Sequence, residues 1–155
     1  MQKFLITETG YKKLKETLLN LKNNERPKII QQIATARELG DLRENAEYHS
    51  AKEKQGFIEA QIADYEDKLN RAETVYITKL SGSKVVFGAT VVLDNGKKEI
   101  SYQIVSDFEA NLDLGLISNN SPVAKALLGK EVGDEIEINT PGGVVFYEIL
   151  AIKFV

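Results

Sequence analysis

The chain is predicted to reverse direction at the acidic turn Gly40-Asp41-Leu42-Arg43-Glu44-Asn45, which separates two long segments of helical spacing. Downstream of the turn, apolar or small residues recur at intervals that alternate between three and four. This is the spacing by which a helix packs against one partner. The downstream set is Tyr48, Ala51, Ile58, Ile62, Tyr65, Leu69 and Ala72, with the polar Gln55 completing the alternation. The upstream set is Tyr11, Leu14, Leu18 and Leu21, continued more loosely by Ile30, Ile33 and Leu39. Two such helices would form an antiparallel hairpin with carboxylates at its end.

Capping and breaking residues indicate where the two helices begin and end. Pro27 lies inside the first helical segment and lacks a backbone donor, so we expect a kink or short break at Asn24–Pro27. Gly40 is expected to end that helix, as glycine commonly does. Asp41 is placed to cap the second helix, which we expect to run to about Glu73.

The residue pattern changes near residue 75, where runs of β-branched residues separated by turn residues replace the helical spacing of apolar residues. We expect about five or six antiparallel strands, drawn from residues 74–77, 84–87, 89–93, 100–105, 135–139 and 144–154. Asn95-Gly96 predicts a tight hairpin, and Ser121-Pro122 predicts the start of one short helix that Gly129 ends. The predicted fold class is α+β. An N-terminal α-helical hairpin (coiled coil, residues 1–75, acidic tip 40–45) precedes a small antiparallel β-sheet domain with one short helix (residues 76–155).

Composition narrows the class of protein. The hydrophobic fraction of 43% is that of a folded chain, and the absence of cysteine excludes a disulfide framework, a thiol nucleophile and a Cys-based zinc site. The net charge is −3, so binding to nucleic acid through bulk positive charge is not expected. No apolar run is long enough for a signal-peptide core or a membrane span. We therefore expect a soluble cytoplasmic protein without a membrane partner.

Asp41 and Glu44 have two interpretations. They are three residues apart, so on one helix they would share a face, and carboxylates at a helix N-terminus are stabilised by the helix dipole. Helix capping alone is therefore one sufficient explanation. The other is that exposed paired carboxylates supply oxygen ligands for Mg²⁺. Two carboxylates form only part of the octahedral shell that Mg²⁺ requires, so the remaining ligands would come from elsewhere.

The run from Ala34 to Glu53 reads ATARELGDLRENAEYHSAKE. With this run, the chain resembles the bacterial Gre transcript-cleavage factors, whose signature it matches. Matches elsewhere in the expected order are Arg26-Pro27, Val86-Phe87-Gly88-Ala89, Ile117-Ser118-Asn119-Asn120-Ser121-Pro122, Leu128-Gly129-Lys130 and Pro141-Gly142-Gly143. The arm lacks the large basic cluster of the GreB branch, so the resemblance is closer to the GreA branch. It implies that the second domain is similar to FK506-binding proteins (FKBP-like).

The resemblance implies a function in transcription elongation. Gre factors bind RNA polymerase at its secondary channel and insert the hairpin toward the active site. They stimulate cleavage of the nascent RNA 3′ end in backtracked complexes, which rescues arrested polymerase. By resemblance, Asp41 and Glu44 are the catalytic and metal-binding carboxylates, and they hold Mg²⁺ jointly with the polymerase. The chain would thus activate another enzyme without being an enzyme alone. The free protein is expected to be monomeric and to hold no metal.

The resemblance also assigns contact residues, each of which has a simpler structural interpretation. Contacts at the tip with RNA or polymerase are implied for Arg37, Arg43, Asn45, Tyr48 and Lys52. Charge pairing on a solvated face would also explain the basic residues, and packing against the other helix of the hairpin would explain Tyr48. The lone His49 is interpreted as structural. Polymerase docking is implied for Asn120, Ser121 and Pro122, although helix capping explains the last two.

Three other functions stay open at this point. The first is a channel inhibitor that plugs the polymerase without activating cleavage, against which the intact acidic pair argues. The second is an FKBP-like prolyl isomerase or chaperone, suggested only by the second domain, and fold alone is weak support for a function. The third is a coiled-coil adaptor, which would leave the acidic turn unexplained.

Overall fold

The computed structural model describes residues 2–155; Met1, where the predicted hairpin domain begins, lies outside the described residues. The chain divides into two compact units. One is a hairpin unit, Tyr11–Arg71, and the other is a sheet unit that joins the N-terminal segment through Gly10 with Ala72–Val155. The division predicted at residue 75 differs from this grouping, because strand β1 (Phe4–Thr7) pairs in parallel with β2 (Ala72–Val75). Among the described residues, no helix is long and apolar enough to cross a membrane.

The hairpin unit is built from three α-helices and one π-helical turn. In chain order these are α1 (Glu8–Asn20), the π-helical turn (Leu21–Glu25), α2 (Arg26–Arg37) and α3 (Ala46–Arg71). The two arms bury one apolar seam, consisting of Leu18, Leu21, Ile29, Ile33, Ala51, Ile58 and Ile62, with Tyr48, Tyr65 and Leu69 packed against it. The predicted antiparallel hairpin is confirmed, as is its downstream seam from Tyr48 to Leu69, whereas Ala72 lies in β2.

The helix does not break at Asn24–Pro27; its irregularity is a π-helical turn that overlaps the start of the expected range. Asn20, Glu25 and Arg26 all keep right-handed helical backbone angles, and the Arg26 N–H bonds to the carbonyl of Leu21, five residues back. A π turn inserts one extra residue into a helix. The extra residue moves the seam to Ile29, eight residues after Leu21, where a heptad would place the next position at seven.

The upstream seam agrees with the prediction at Leu14, Leu18 and Leu21, which are buried, and differs from it in α2. Ile30 is exposed, and the buried residues of α2 are Ile29, Ile33 and Ala36. Ile33 is the one predicted position that is correct in this helix. A sequence pattern read at a constant 3.6-residue period cannot include an inserted residue, so it did not place Ile29 in the seam. Leu39, which is also exposed, lies beyond the end of α2.

Two ion pairs link the arms across the seam. The Arg26 guanidinium donates two hydrogen bonds of 2.8 Å to the two carboxylate oxygens of Glu59, and Lys22 Nζ lies 2.6 Å from a carboxylate oxygen of Glu66. The hydrogen bond from Arg26, together with its charge, lowers the pKa of Glu59 below its usual value of 4.5. The same hydrogen bond raises the pKa of Arg26.

The Glu59 pair predicts a pH dependence of hairpin stability. Because the folded-state pKa is depressed, the contribution is present above the unfolded-state pKa and is lost as the pH falls through the folded-state pKa. Glu59→Gln should lower the melting temperature at neutral pH and have little effect in strong acid, where the parent carboxyl is also protonated. Thermal melts of both proteins across this range test it. Glu53→Gln, on an exposed carboxylate of α3 without a described partner, is the control and should show no such difference.

The sheet unit has a five-stranded sheet in addition to the β1–β2 pair. Its strands are β3 (Thr90–Asp94), β4 (Glu99–Val105), β5 (Leu116–Ser118), β6 (Glu135–Thr140) and β7 (Gly143–Lys153), in the spatial order β5-β4-β3-β7-β6. Two 3₁₀ turns (Ile77–Lys79 and Leu112–Leu114) and helix α4 (Pro122–Leu127) complete the unit. The antiparallel pairs are β3–β4, β3–β7 and β6–β7, whereas β4 and β5 are parallel.

The predicted sheet is correct in class and inexact at two places. The Asn95-Gly96 hairpin is confirmed between β3 and β4, with Gly96 at a φ of 90°. Residues 84–87 form no strand; Lys84 makes one isolated bridge to Glu131, and Val85 and Phe87 enter the core from an irregular segment. The short strands β1 and β5 were not predicted. Their parallel pairings join distant segments, which a local pattern does not indicate.

The packing of α4 on the sheet gives this unit its core. Ala124 and Leu127 of α4 are fully buried in one core cluster with Val91, Leu93 and Ile149 of the sheet. The sheet unit is therefore one curled sheet with a helix on one face, as the α+β prediction requires.

Within the sheet unit, which includes the first residues of α1, Glu109 binds the segment where that helix begins. Its carboxylate accepts hydrogen bonds from the backbone N–H and hydroxyl of Thr7 and from the backbone N–H and hydroxyl of Ser106. Thr7 in turn accepts from the Gly10 N–H at 3.1 Å and so caps the helix. Gly10 is buried directly against this carboxyl group, and a Cβ there would lie 2.7 Å from Glu109 Cγ.

Two helical glycines should therefore respond oppositely to alanine. Gly56→Ala, on an exposed face of α3 with open space around it, should stabilise the hairpin by about 0.5–1 kcal/mol through helix propensity. Gly10→Ala should destabilise the protein by about 1–3 kcal/mol. The added Cβ would displace the Glu109 carboxylate, and the energy of the hydrogen bonds lost would exceed the gain in helix propensity. Urea unfolding of the two variants tests the difference in sign, and destabilisation by both would contradict it.

Candidate functional site at the hairpin turn

The turn between the arms begins where α2 ends. Arg37 is the last residue of α2, and the N–H groups of Glu38 and Leu39 bond to the Thr35 and Ala36 carbonyls at 3.2 and 3.1 Å. Gly40 follows at a φ of 131°, a conformation that residues with a side chain rarely adopt. The reversal at Gly40 is thus as predicted, although the helix ends earlier than Leu39.

Asn45, and not Asp41, caps the second helix. The Asn45 Oδ1 accepts from the Tyr48 N–H at 3.0 Å, and α3 begins at Ala46. Asp41 lies outside the helix, where its Oδ1 accepts from the Arg43 N–H at 2.9 Å. The capping role predicted for Asp41 is wrong. Both residue types are good caps, and the chain uses the one that directly precedes the helix.

Asp41 and Glu44 are brought together by a turn instead of by a helix face. The Glu44 N–H bonds to the Asp41 carbonyl at 3.3 Å, so these residues are the first and last of a four-residue turn. The ends of such a turn lie within about 7 Å of each other at Cα. Both residues are exposed, and both line an open depression of about 420 Å³ together with Leu39, Asn45, Ala46 and Glu47.

The donor set of this depression fits part of a Mg²⁺ site. Carboxylate oxygens are the ligands that Mg²⁺ prefers, and about six oxygens are needed. The Glu44 carboxylate makes no hydrogen bond or ion pair with any described residue, and Asp41 keeps one carboxylate oxygen outside its bond to Arg43. Within residues 2–155, no group of three or more His, Cys, Asp or Glu side chains is arranged to hold a metal ion.

The predicted tip contact residues occupy different environments. Arg37 places its guanidinium 5.9 Å from the centre of the half-buried Tyr48 ring, and the Arg43 side chain is exposed. Lys52 lies one helical turn beyond Tyr48 and donates to Gln55 Oε1 at 3.2 Å. Both ends of the Asn45 side-chain amide are bonded within the hairpin. Its Nδ2 donates to the Ala36 carbonyl, and its Oδ1 caps α3. Among the described residues, the charge pairing that would explain Arg37, Arg43 and Lys52 is not seen, since none of them forms an ion pair with Glu38 or Glu44.

His49, near the start of α3, contacts the hairpin turn, which the sequence did not indicate. Its Nε2 lies 3.2 Å from the Arg43 carbonyl oxygen, and its ring meets the Tyr48 ring edge-on at 5.5 Å between centroids. A lone histidine has no sequence signal that distinguishes this role from simple surface exposure.

The predicted docking residues form a structured loop in the sheet unit. Ser121 caps α4 by accepting from the Ala124 N–H at 3.2 Å, and Pro122 is its first residue, so the capping interpretation is confirmed. Asn120 donates through Nδ2 to Asp107 at 3.0 Å, and the Ser118 hydroxyl donates to the same carboxylate. Asp107 thus organises this loop from a position thirteen residues before Asn120, which no local pattern reveals.

Comparisons with known proteins identify the family. Residues 4–74 match a family profile described as transcription elongation factor, N-terminal, and residues 80–154 match one described as transcription elongation factor, GreA/GreB, C-terminal. The chain is 53% identical over 157 residues to a protein of Phenylobacterium zucineum named transcription elongation factor GreA, covering all of both chains. A protein of the same name from Caulobacter vibrioides is 54% identical over 156 residues, with 99% of each chain covered. Among solved structures, GreA factor homolog 1 of Thermus thermophilus is 31% identical, with 98% of this chain and 99% of that chain covered and a TM-score of 0.45. The chain belongs to the GreA/GreB family of transcription elongation factors.

Proposed function

We propose that this chain binds bacterial RNA polymerase and stimulates the polymerase to cleave the 3′ end of backtracked RNA. The hairpin enters the secondary channel and presents Asp41 and Glu44 at the active site. One observation carries the proposal: in a member of this family, the two acids are the exposed ends of one turn at the end of a helical hairpin. The enzyme is the polymerase, and this chain contributes ligands. Such a partner is consistent with the cytoplasmic location expected from the sequence.

The chemistry assigned to the tip is that of a shared metal site. Mg²⁺ held between the polymerase and the tip would activate a water for hydrolysis of the RNA phosphodiester, which is two-metal catalysis. Asp41 supplies the oxygen that Arg43 leaves free, and Glu44 supplies a carboxylate without an internal partner. The cost of bringing two like charges to the ends of one short turn is offset when a cation binds between them.

The experiment is a cleavage assay on a defined backtracked complex with Mg²⁺. The full chain should release short 3′ RNA fragments, and the shortened transcript should then be extended when nucleotides are added. A complex that is halted without backtracking is the control and should release none. If the chain produces no fragments above the polymerase alone, the proposal fails.

Two of the three alternative functions predict different results, one with polymerase and one without it. A channel inhibitor would slow nucleotide addition in an active complex and release no fragments. For the isomerase alternative, the full chain would accelerate cis–trans exchange of a proline peptide in the absence of polymerase. We favour cleavage because the acidic turn has no role in either alternative.

Docking through Asn120, Ser121 and Pro122 leads to a prediction about Asp107. Asp107→Ala removes the acceptor for both Asn120 and Ser118, and hydrogen bonds to a charged group contribute about 1.5–3 kcal/mol each. The concentration of the chain needed for half-maximal cleavage should rise roughly tenfold, which corresponds to about 1.4 kcal/mol. The rate at saturation should not change. Asp113→Ala, on a nearby exposed carboxylate outside this network, is the control; equal behaviour of the two variants would refute the prediction.

A further inference from the structure

We infer that Asn45 and His49 are positioning residues, which hold the turn in the conformation that presents Asp41 and Glu44. This inference rests on the proposed function and assigns both residues roles that differ from the ones predicted. Asn45 was expected to contact RNA or polymerase, and His49 was expected to be merely structural.

Asn45 ties the end of one arm to the start of the other. Its Nδ2 donates to the Ala36 carbonyl, which also accepts from the Leu39 N–H at the end of α2. Its Oδ1 accepts from the Tyr48 N–H in the first turn of α3. Since both ends of the amide are engaged inside the hairpin, the side chain is a clamp between the arms at the base of the turn.

His49 fixes the middle of the turn. It lies 3.2 Å from the Arg43 carbonyl oxygen, so Nε2 is the protonated nitrogen and donates. The Arg43 N–H is bound by Asp41 on the other side. The backbone of Arg43, which lies between the two acids, is therefore held at both its donor and its acceptor. The Glu44 N–H, bonded to the Asp41 carbonyl, closes the arrangement.

Hydrogen bonds are what the turn has available for this purpose. No residue from 37 to 50 is buried, so the apolar seam ends at Ala36 on one arm and resumes at Ala51 on the other. Ordering each backbone residue costs about 1–2 kcal/mol of conformational entropy. A metal ligand displaced by even a small distance loses its function, because Mg²⁺ tolerates little deviation from octahedral geometry. Removing the bonds from Asn45 and His49 should thus disorder the acids without altering their chemistry.

The test uses four variants of the full chain in the cleavage assay, each titrated to saturation on a backtracked complex. Asn45→Asp keeps the cap acceptor and removes the donor to Ala36, and Asn45→Ala removes both. His49→Ala removes the donor to Arg43, and His49→Gln restores a side-chain N–H. Ser50→Ala, at the exposed neighbour of His49, is the matched control.

We expect the saturated cleavage rate to fall about 10–100-fold in Asn45→Ala, Asn45→Asp and His49→Ala, as for loss of groups that orient metal ligands. The concentration for half-maximal cleavage should stay within about twofold of the parent, since these residues do not dock the chain. His49→Gln should recover much of the rate. In the free proteins, amide hydrogen exchange at Arg43 and Glu44 should accelerate in His49→Ala while exchange at the buried seam does not change.

The outcomes separate this inference from the proposed function. If the parent stimulates cleavage and His49→Ala and Asn45→Asp match it, the inference is wrong and the proposed function stands. A rate loss that His49→Gln fails to recover, or one accompanied by an equal loss of affinity or of seam protection, also overturns it. If the parent itself releases no fragments, the proposed function fails, and the inference fails with it.

Discussion

Asp41→Asn and Glu44→Gln should each reduce the saturated rate of RNA cleavage by at least about 100-fold, because loss of groups that only orient ligands already costs about 10–100-fold. Both substitutions keep the side-chain shape and one acceptor oxygen while removing the charge that a divalent cation requires. Asp41→Asn also retains an oxygen for the Arg43 N–H, so the turn should keep its conformation. The effect is therefore expected in the rate and not in the affinity for polymerase.

The measurement is a titration of each variant on a backtracked complex, which yields the saturated rate and the half-maximal concentration separately. Glu53→Gln changes the charge of α3 by the same amount on an exposed face, and should cleave like the parent. Competition supplies a second control, since an inactive variant that still binds should block the parent in proportion to its concentration. Loss of affinity in place of rate would count against a role in catalysis.

Ile29→Ala should destabilise the hairpin by about 2–5 kcal/mol, the usual cost of removing a buried isoleucine side chain to its Cβ. Ile29 is 1% exposed at the position where the seam resumes after the π-helical turn. Ile30→Ala is the matched control. Ile30 is 51% exposed, so its substitution should change the free energy of unfolding by no more than about 0.5 kcal/mol.

Urea titrations followed by circular dichroism in the helix band compare the two adjacent isoleucines directly. The pair also tests which of the two isoleucines packs in the seam. If the predicted seam through Ile30 were correct, Ile30→Ala would be the more destabilising change. We expect Ile29→Ala to lower the free energy of unfolding much more than Ile30→Ala does.

Local chemistry was sufficient to predict the hairpin, the site of its reversal and the main sheet strands. Gly40 and the regular spacing of α3 have direct physical causes in neighbouring residues, as do the Asn95-Gly96 hairpin and the Ser121 cap. These features need only a few adjacent residues to be specified. The same is true of the position of Asp41 and Glu44 at the end of the arm.

Features that depend on distant residues, or on a choice between two equally good capping residues, were not predicted. Asp41 and Asn45 are both strong caps, and the choice of Asn45 depends on the carbonyl of Ala36 on the opposite arm. The role of Glu109 depends on Thr7, which lies 102 residues earlier in the chain. Such contacts arise only after the chain has folded, so a linear pattern does not contain them.

The role of the acidic pair was also beyond the physical pattern alone. Capping and metal binding use the same carboxylates at similar spacing, and the sequence pattern permitted either. The turn geometry removes Asp41 from the capping role, and the family match places the chain among elongation factors. Both acidic side chains are thus exposed, and neither carboxylate caps a helix.

We propose that the tip completes a Mg²⁺ site in the polymerase. The decisive measurement is the Mg²⁺ concentration needed for half-maximal cleavage of a backtracked RNA. It is compared for polymerase alone, polymerase saturated with the parent, and polymerase saturated with the Asp41→Asn, Glu44→Gln double variant. The parent should lower this concentration, and the double variant should leave it at the value of polymerase alone. Equal Mg²⁺ dependence with the parent and the double variant, at equally accelerated rates, would show that the tip carboxylates do not hold the ion.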